Sequence, residues 1–254
     1  MKRFAVMLTF LTRIPVPIRF DVTDEDYVKG VGFTPLVALI IGVPLFFVRM
    51  LDTYIHPYVI SVCILGLYLW LSGALHIDGL ADTMDAFGSN HGKERMLQIL
   101  RDPHIGTFGV LSIVVYCVGM VVLVPVVPAY CLLLFPLVGR TCALLCARTH
   151  GYARECGLGR SFVEGARWWH VIISLAAYGV LAYAVVAEMS VAYACITLLP
   201  FVCSLLITWV FVHRMSKKIG GVTGDLIGYS VEVSQLIYLL LTYATTVIVA
   251  QGVV

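Results

Sequence analysis

The sequence predicts an all-α fold: a polytopic integral membrane helical bundle of about seven transmembrane helices, forming one domain over residues 1–254. Composition is the first observation behind this prediction, because 60% of the residues are hydrophobic and 13% are charged, against about 45–50% and about 25% in soluble domains. The second observation is a set of seven apolar segments of about 20 residues, the length that crosses a hydrocarbon layer about 30 Å thick. These segments are 31–51, 59–75, 108–127, 129–147, 170–187, 191–212 and 231–250.

The distribution of basic residues predicts the orientation of this bundle. One set of ends and loops holds 15 of the 17 Lys and Arg residues: 1–30, 76–107, 148–169 and 213–230. Because Lys and Arg accumulate in short cytoplasmic loops, we expect a cytoplasmic N-terminus, an outside C-terminus and catalytic loops on the cytoplasmic side of the inner membrane. The net charge of +2, without any Lys/Arg-rich run, argues against nucleic-acid binding.

Local signals predict the elements between the spans. Two prolines in residues 9–17 favour a bent or extended lead-in to the first span. Helical patterning continues from the second span through Ala86, and Gly88 is a plausible helix end. Residues 93–100 alternate polar and apolar side chains at helical spacing, which predicts a short interfacial helix before a turn at Pro103.

Three carboxylates follow the second span at helical spacing. Asp78, Asp82 and Asp85 stand at i, i+4 and i+7, which places them within roughly 60° of one another on a helix face. Such carboxylates repel one another unless a cation lies among them, and carboxylate oxygens suit Mg²⁺. An acidic helix end that faces water without a bound ion is the alternative interpretation.

A second acidic pair, Asp225 and Glu232, lies in a glycine-rich segment, residues 220–236, close to Lys218. The glycines permit close approach of the backbone to a ligand, and the free N–H groups at a helix start favour anions. The segment is therefore a candidate phosphate-binding element.

Basic residues on the same side of the bundle would neutralise a polyanionic substrate as a group. They include Arg13, Arg101 and Arg154. Each of them also serves as a determinant of topology, and this role is the more common one for a single basic residue.

Six stretches together resemble one family of membrane enzymes. They are TFLTRIPVP at 9–17, FTPLVALIIG at 33–42, HIDGLADTMDAFGS at 76–89, RDPHIGTFGV at 101–110, YARECGLGRSF at 152–162 and GGVTGDLIGYSVE at 220–232. In this order they are similar to cobalamin synthase, the adenosylcobinamide-GDP ribazoletransferase family. The resemblance implies a Mg²⁺-dependent step in which a hydroxyl of α-ribazole, or of its 5′-phosphate, attacks the phosphoryl group linked to cobinamide. GMP leaves, and the product is adenosylcobalamin or its phosphate.

On this resemblance the four aspartates Asp78, Asp82, Asp85 and Asp225 are the predicted catalytic residues and Mg²⁺ ligands. Either Asp82 or Asp85 is expected to accept the proton of the attacking hydroxyl. The predicted substrate-binding residues are Arg13, Arg101, Arg154, Lys218 and Glu232. The sequence departs from the family pattern at His104 and Gln235, which puts an essential role of these two positions in doubt.

Two other functions fit parts of the same sequence. The acidic box is similar to that of CDP-alcohol phosphotransferases, although Asp82 stands where that group typically has a basic residue. A cation or solute transporter also places acids in membrane helices, but near the bilayer midplane instead of at span ends. The expected partners are the corrinoid nucleotide, α-ribazole or its phosphate, and the lipid bilayer, while homo-oligomerisation is left open.

Overall fold

The structure is a computed structural model that describes residues 1–17, 20–88, 91–186 and 191–251. Across these ranges the chain forms twelve α-helices, joined by loops and three short 3-10 turns. The helices are α1 Lys2–Leu11, α2 Asp24–Gly30, α3 Thr34–Arg49, α4 Pro57–Ser72, α5 Leu75–Gly88, α6 Lys93–Ile99, α7 Thr107–Leu123, α8 Cys131–Thr149, α9 Leu158–Gly165, α10 Trp168–Val186, α11 Val191–Ile219 and α12 Gly224–Ala250.

The prediction of an all-α membrane bundle is confirmed. Among the residues that the structure describes, six segments are long and apolar enough to cross a membrane: Asp24–Thr53, Thr107–Val126, Cys131–Thr149, Trp168–Val185, Ile196–Ile219 and Gly224–Ala250. A seventh crossing results if the bent pair of α4 and α5 counts as one span. Each of the seven predicted segments overlaps one of these, although Ala187, at the end of the fifth segment, lies outside the described residues.

One local prediction is wrong, because the helix of the second span does not continue through Ala86. The chain turns by 93° between α4 and α5. Gly73 and Ala74 both adopt positive φ, 66° and 55°, and the N–H of Ala74 donates to the carbonyl of Leu69 (3.0 Å). A left-handed residue with this type of back-bond is a common way to end a helix, and glycine adopts it without steric cost. The predicted short helix is confirmed as α6, while its position at the membrane interface stays a prediction.

The lead-in to the first span packs against this turn. The backbone N–H of Arg13 donates to the carbonyl of Leu71 in the last turn of α4 (2.8 Å). The side chain of Arg13 lies over Gly73, where a Cβ would come within 3.0 Å of it. The first residues of the chain therefore help to fix the angle at which α5 leaves α4.

Helix α8 is the centre of the bundle. It packs against α3, α10, α11 and α12. In its most apolar stretch 83% of the residues are buried, against at most 44% in the other five candidate spans. A residue on α8 is therefore shielded from lipid on most sides, which matters for the charged Arg140 in its middle.

Arg49, at the end of α3 on the side opposite the basic loops, has a structural role. Its guanidinium donates to the carbonyls of Val124 (3.2 Å) and Pro125 (3.1 Å) and also pairs with Asp52. It thus joins the end of α3 to the 3-10 turn that follows α7.

Candidate active site

A cavity of about 250 Å³ opens where α5 and α12 begin, at the basic end of the bundle. Carboxylates and an arginine line it on one side: Asp78, Asp225 and Arg154. Apolar side chains from α1, α9 and α12 line its walls, and Arg140 and His76 contribute polar groups to them. The cavity therefore joins an acidic group of side chains to a largely apolar interior.

Close packing of α5 on α12 brings Asp78 and Asp225 to the same cavity. A Cβ at Gly79 would lie 2.6 Å from the carbonyl oxygen of Asp225, and a Cβ at Gly228 would lie 3.3 Å from the Cα of His76. A Cβ would overlap the backbone at Gly79 and crowd it at Gly228, so glycine at these positions lets the two helices approach closely. The glycines next to the acids thus set how far apart the two helices stand.

The start of α12 is built to hold Asp225 in place. Thr223 caps the helix, since its hydroxyl accepts from the N–H of Leu226 (3.2 Å). Gly220 and Gly221 precede the cap with positive φ values of 88° and 152°. An aspartate in the first turn is also stabilised by the helix dipole. The predicted glycine-rich turn is thus the element that presents this carboxylate.

Asp82 lies one turn after Asp78 on α5 and is half-buried. The negative charges of Asp78, Asp225 and Asp85 all act on it, and Arg154 contributes the nearby positive charge. The four aspartates predicted from the sequence therefore form one group in space.

Asp85 differs from the other three in how its carboxylate is used. One oxygen accepts from the N–H of Gly106 (2.7 Å) and the other from the N–H of Gly109 (2.8 Å). These N–H groups belong to the start of α7, where backbone donors have no partner within the helix. Both carboxylate oxygens of Asp85 are therefore engaged with the start of α7.

Arg154 links the acidic group to the neighbouring loops. Its Nη2 atom donates to Oδ2 of Asp225 (2.8 Å) and to the carbonyl of Leu100 (2.9 Å). Backbone bonds from Ala153 to Val222 and from Val222 to Gly151, both 2.8 Å, hold the same loop against the glycine-rich turn. The predicted substrate-binding role of Arg154 thus falls on a residue that lines the cavity and contacts a predicted metal ligand.

The other four predicted substrate-binding residues do not line the cavity. The side chains of Arg13, Arg101 and Lys218 are exposed. Glu232 is fully buried behind the cavity wall, where its Oε1 accepts from the hydroxyl of Tyr68 (2.7 Å). Contact of these residues with a substrate stays a prediction.

The two positions that depart from the family pattern lie in different surroundings, one exposed and one buried. His104 is exposed, and hydrogen bonds from its backbone N–H and its ring lower the pKa of Asp102. Gln235 is buried, and its Oε1 lies 2.8 Å from the Tyr68 hydroxyl. Neither residue lines the cavity.

Sequence reasoning missed several residues of the cavity wall, among them Arg140 and Tyr152. A signal for Arg140 was present, because an ionisable residue inside a transmembrane segment is by itself a sign of function. Tyr152 carries no such signal, since a tyrosine in a loop is common.

The donor set of the acidic group suits a hard divalent cation only in part. Within the described ranges, no three Asp, Glu, His or Cys side chains are arranged as a metal site made by protein alone. Mg²⁺ commonly binds one or two carboxylates and completes its coordination with water and substrate phosphates. Asp78 and Asp225, both on the cavity wall, provide carboxylates for such shared binding.

Comparison with known proteins identifies the chain's relatives. The cobalamin-5-phosphate synthase family matches residues 3–243. Adenosylcobinamide-GDP ribazoletransferase of Alkaliphilus oremlandii is 38% identical over 96% of this chain and 97% of its own length. The enzymes of the same name from Clostridium acetobutylicum and Acetivibrio thermocellus are each 36% identical over 96% of this chain, covering 96% and 98% of their own lengths. No solved structure matches the chain.

The family match and the relatives agree over almost the whole sequence, including the two segments that carry the acidic group and the cavity. The chain therefore belongs to the cobalamin-5-phosphate synthase family.

Proposed function

We propose that this membrane protein joins adenosylcobinamide-GDP to α-ribazole or its 5′-phosphate and releases GMP, in a Mg²⁺-dependent transfer. Relatives that are 36–38% identical over nearly their full length have the name of this activity. The observation that carries the site assignment is that Asp78, Asp225 and Arg154 line one cavity in a chain of this family, with Asp82 within reach of their charges.

Asp78 and Asp225 are the residues that would hold the metal ion, with Asp82 beside them. Both line the cavity, and a group of carboxylates beside one arginine leaves an excess of negative charge. A Mg²⁺ ion held there would neutralise charge on the diphosphate and on the leaving phosphate. Because the ion would be shared with substrate, its binding is expected to be tighter when a nucleotide is present.

The bonding changes of the transfer define what the protein residues must do. A hydroxyl oxygen of the acceptor forms a bond to the phosphorus linked to cobinamide, and the bond from that phosphorus to the oxygen of GMP breaks. GMP takes the bonding electron pair, and the hydroxyl loses its proton. The protein must therefore bind both substrates in line and accept one proton.

Asp82 is the better candidate for the proton acceptor of the two aspartates that the sequence left open. It is half-buried beside the residues that line the cavity, and it interacts electrostatically with the other three aspartates. Asp85 already accepts two backbone hydrogen bonds from the start of α7. We therefore propose that Asp82 accepts the proton of the attacking hydroxyl. Asp85 would instead hold α5 against α7.

Arg154 has two functions in this proposal. Its bond to Asp225 orients that carboxylate, and its positive charge faces the cavity in which the diphosphate would lie. A guanidinium is well suited to hold phosphate oxygens with several donors at once. It would stabilise the negative charge that develops on GMP as it leaves.

We place this cavity on the cytoplasmic side of the inner membrane. Support comes from the 15 of 17 basic residues in the ends and loops on one side, and from the cavity's position between helix ends of that side. Basic loops are retained in the cytoplasm during insertion. Adenosylcobinamide-GDP and α-ribazole 5′-phosphate are charged and would reach such a site without crossing the bilayer.

The test uses the full chain, purified in detergent, with adenosylcobinamide-GDP, α-ribazole or its 5′-phosphate, and Mg²⁺. Mass spectrometry is expected to find a corrinoid with a closed nucleotide loop and an equal amount of GMP. Asp78→Asn is expected to reduce the rate by about 10²-fold or more, as the loss of one electrostatic group in an active site commonly does. Asp102→Asn is the matched control, since Asp102 is an exposed acid of the same segment outside the cavity.

Two results would overturn the proposal. The first is a folded protein that forms no such corrinoid from either acceptor at any Mg²⁺ concentration. The second is full activity of Asp78→Asn, which would leave the transfer in place and remove the assignment of the metal site.

A further inference from the structure

Two histidines connect the end of α8 to α11 at the basic end of the bundle. Nε2 of His150, the residue directly after α8, lies 3.2 Å from Nδ1 of His213 on α11. Both side chains are partly buried, and neither lines the cavity of the candidate active site. Any effect of this pair on the reaction would therefore pass through the chain that follows it.

The bonds around the pair determine which nitrogen carries the proton. Nδ1 of His150 lies 2.9 Å from the carbonyl oxygen of Cys146, and because a carbonyl can only accept, this Nδ1 donates. Burial lowers the pKa of His150, which favours the neutral ring with an unprotonated Nε2. Nδ1–H of His213 therefore donates to Nε2 of His150. The hydrogen bond runs from α11 to the first residue after α8.

Trp209 supports the donor ring from the preceding turn of α11. Its indole stacks on the ring of His213, with centroids 5.0 Å apart and an angle of 12° between the planes. Its Nε1–H donates to the hydroxyl of Thr149, the last residue of α8, at 2.9 Å. Two side chains of α11, one turn apart, thus hold the end of α8.

The segment that begins after His150 lies directly on the glycine-rich turn. The N–H of Val222 donates to the carbonyl of Gly151, and the N–H of Ala153 donates to the carbonyl of Val222, both at 2.8 Å. A Cβ at Gly221 would lie 2.5 Å from the carbonyl oxygen of Gly151, so the two backbones are in direct contact. Residues 151–153 and 221–222 thus form a short parallel bridge.

This bridge determines where Arg154 meets Asp225. Arg154 follows the bridge on one segment and Asp225 follows it on the other, and Nη2 of the arginine lies 2.8 Å from Oδ2 of the aspartate. A displacement of one segment along the other by about 1 Å would break a hydrogen bond of this length. The bond between His150 and His213 holds the first segment one residue before the bridge begins.

We propose that His150 and His213 are positioning residues, whose hydrogen bond sets the register of residues 151–153 on the glycine-rich turn and thereby places the guanidinium of Arg154 at the cavity. This inference rests on the proposed function, and adds to it two residues that contact neither substrate nor metal. Because Arg154 would stabilise the charge that develops on GMP, loss of the bond is expected to lower kcat more than it raises the Michaelis constants.

Two substitutions of His213 in the full chain separate positioning from packing. Asparagine offers an N–H donor near the position of Nδ1 but lacks the ring that stacks on Trp209, whereas phenylalanine keeps a ring and lacks the donor. His213→Phe is expected to lower kcat for GMP release by about tenfold, and His213→Asn by no more than about twofold. A role in packing alone predicts the reverse order, because the stacked ring would then matter more than the donor.

His56→Phe is the matched control, since His56 is exposed at the start of α4 and lies outside these contacts. It is expected to leave kcat unchanged. A double-variant cycle tests whether the effect passes through Arg154. In the Arg154→Ala background, His213→Phe is expected to lower kcat by less than about twofold, because residues that act as one unit are not additive. A further tenfold loss in that background would overturn the connection to Arg154.

Hydrogen exchange separates this inference from the proposed function, because it needs no turnover. Mass spectrometry of peptides that contain Ala153 and Val222 is expected to show faster amide exchange in His213→Phe than in the unmodified chain, and nearly unchanged exchange in His213→Asn. Unchanged exchange in His213→Phe, or a kcat of His213→Asn as low as that of His213→Phe, would overturn the positioning role. If exchange follows the expected order but no corrinoid product forms, the proposed function fails while the histidine pair still holds the bridge.

Discussion

The carboxylate of Asp85 on α5 accepts a hydrogen bond from the backbone N–H of Gly109 at the start of α7, at 2.8 Å. Its second oxygen accepts from Gly106, at 2.7 Å. A side chain from one helix thus satisfies two backbone donors at the end of another, the function that a capping residue usually performs within its own helix. Asp85 therefore connects the segment with the catalytic acids to the third span.

Replacing Asp85 with Ala is expected to lower stability more than replacing it with Asn. Alanine removes both acceptors, and a hydrogen bond to a charged group contributes about 1.5–3 kcal/mol. Asparagine retains one acceptor oxygen, so part of the contribution remains. Thermal unfolding of the purified variants, followed by tryptophan fluorescence, measures the difference. An unchanged unfolding midpoint together with lost turnover in Asp85→Ala would instead place this carboxylate on the metal ion.

Replacing Gly79 with Ala is expected to reduce GMP release by at least about tenfold and to lower stability by about 1–3 kcal/mol. The new methyl group would lie 2.6 Å from the backbone oxygen of Asp225, so α5 would have to move away from α12. Gly66→Ala is the control, because a Cβ at Gly66 in α4 meets open space. Equal behaviour of the two variants would show that the close contact is not needed.

Arg154 and Asp225 are expected to act as a coupled pair. Their side chains are only 15% and 22% exposed and lie 2.8 Å apart, so water screens their interaction weakly. In a cycle of Arg154→Ala, Asp225→Asn and the double variant, kcat/KM is expected to show a coupling of about 0.5–3 kcal/mol. Losses that simply add would mean that the two residues act independently in the reaction.

Metal binding is expected to depend on Asp78 and Asp225 and on nucleotide. Titration with Mn²⁺, followed by electron paramagnetic resonance, reports the ion directly and without turnover. Binding in the presence of GDP is expected to weaken by at least about tenfold, or about 1.4 kcal/mol, in Asp78→Asn and in Asp225→Asn. The exposed acid Asp102 again provides the control variant. Undiminished Mn²⁺ binding in both variants would move the metal site elsewhere.

Reporter fusions test the orientation of the bundle. Alkaline phosphatase, which is active only outside the cytoplasm, is expected to be active when fused to the C-terminus and inactive when fused after Ile99 at the end of α6. Green fluorescent protein at the same two positions is expected to give the opposite pattern. The expectation follows from the basic loops, which are retained inside the cell. The reverse result at both positions would place the cavity on the outer side.

Much of this molecule was predictable from sequence because its main signals are local. Apolar length and composition predicted the bundle, and helical spacing placed Asp78 and Asp82 on one face of one helix. Ordered motifs predicted the family, which favours the transferase over the transporter and the CDP-alcohol phosphotransferase. That Asp225 joins Asp78 in space follows from helix packing, and the sequence indicated it only through the resemblance.

Other features depend on contacts between residues far apart in the chain. The partners of Asp85 lie 21 and 24 residues away on another helix, so its spacing alone could not distinguish a cap from a metal ligand. The sharp turn at Gly73 depends partly on Ala74, a residue that rarely adopts positive φ. In the sequence Arg140 was visible only as a charge within an apolar segment. That it lines the cavity depends on how α8 packs in the bundle, which the sequence alone does not show.

The direct contact between the backbones at Gly79 and Asp225 has a consequence for how the protein works during repeated reaction cycles. Main-chain atoms, and not flexible side chains, determine the distance between the two helices that carry the negative charges. Most of the conformational entropy lost in bringing these charges together is therefore lost once, when the chain folds. Each arriving pair of substrates meets an electrostatic field that is already oriented, and little reorganisation of the protein is left to slow the transfer.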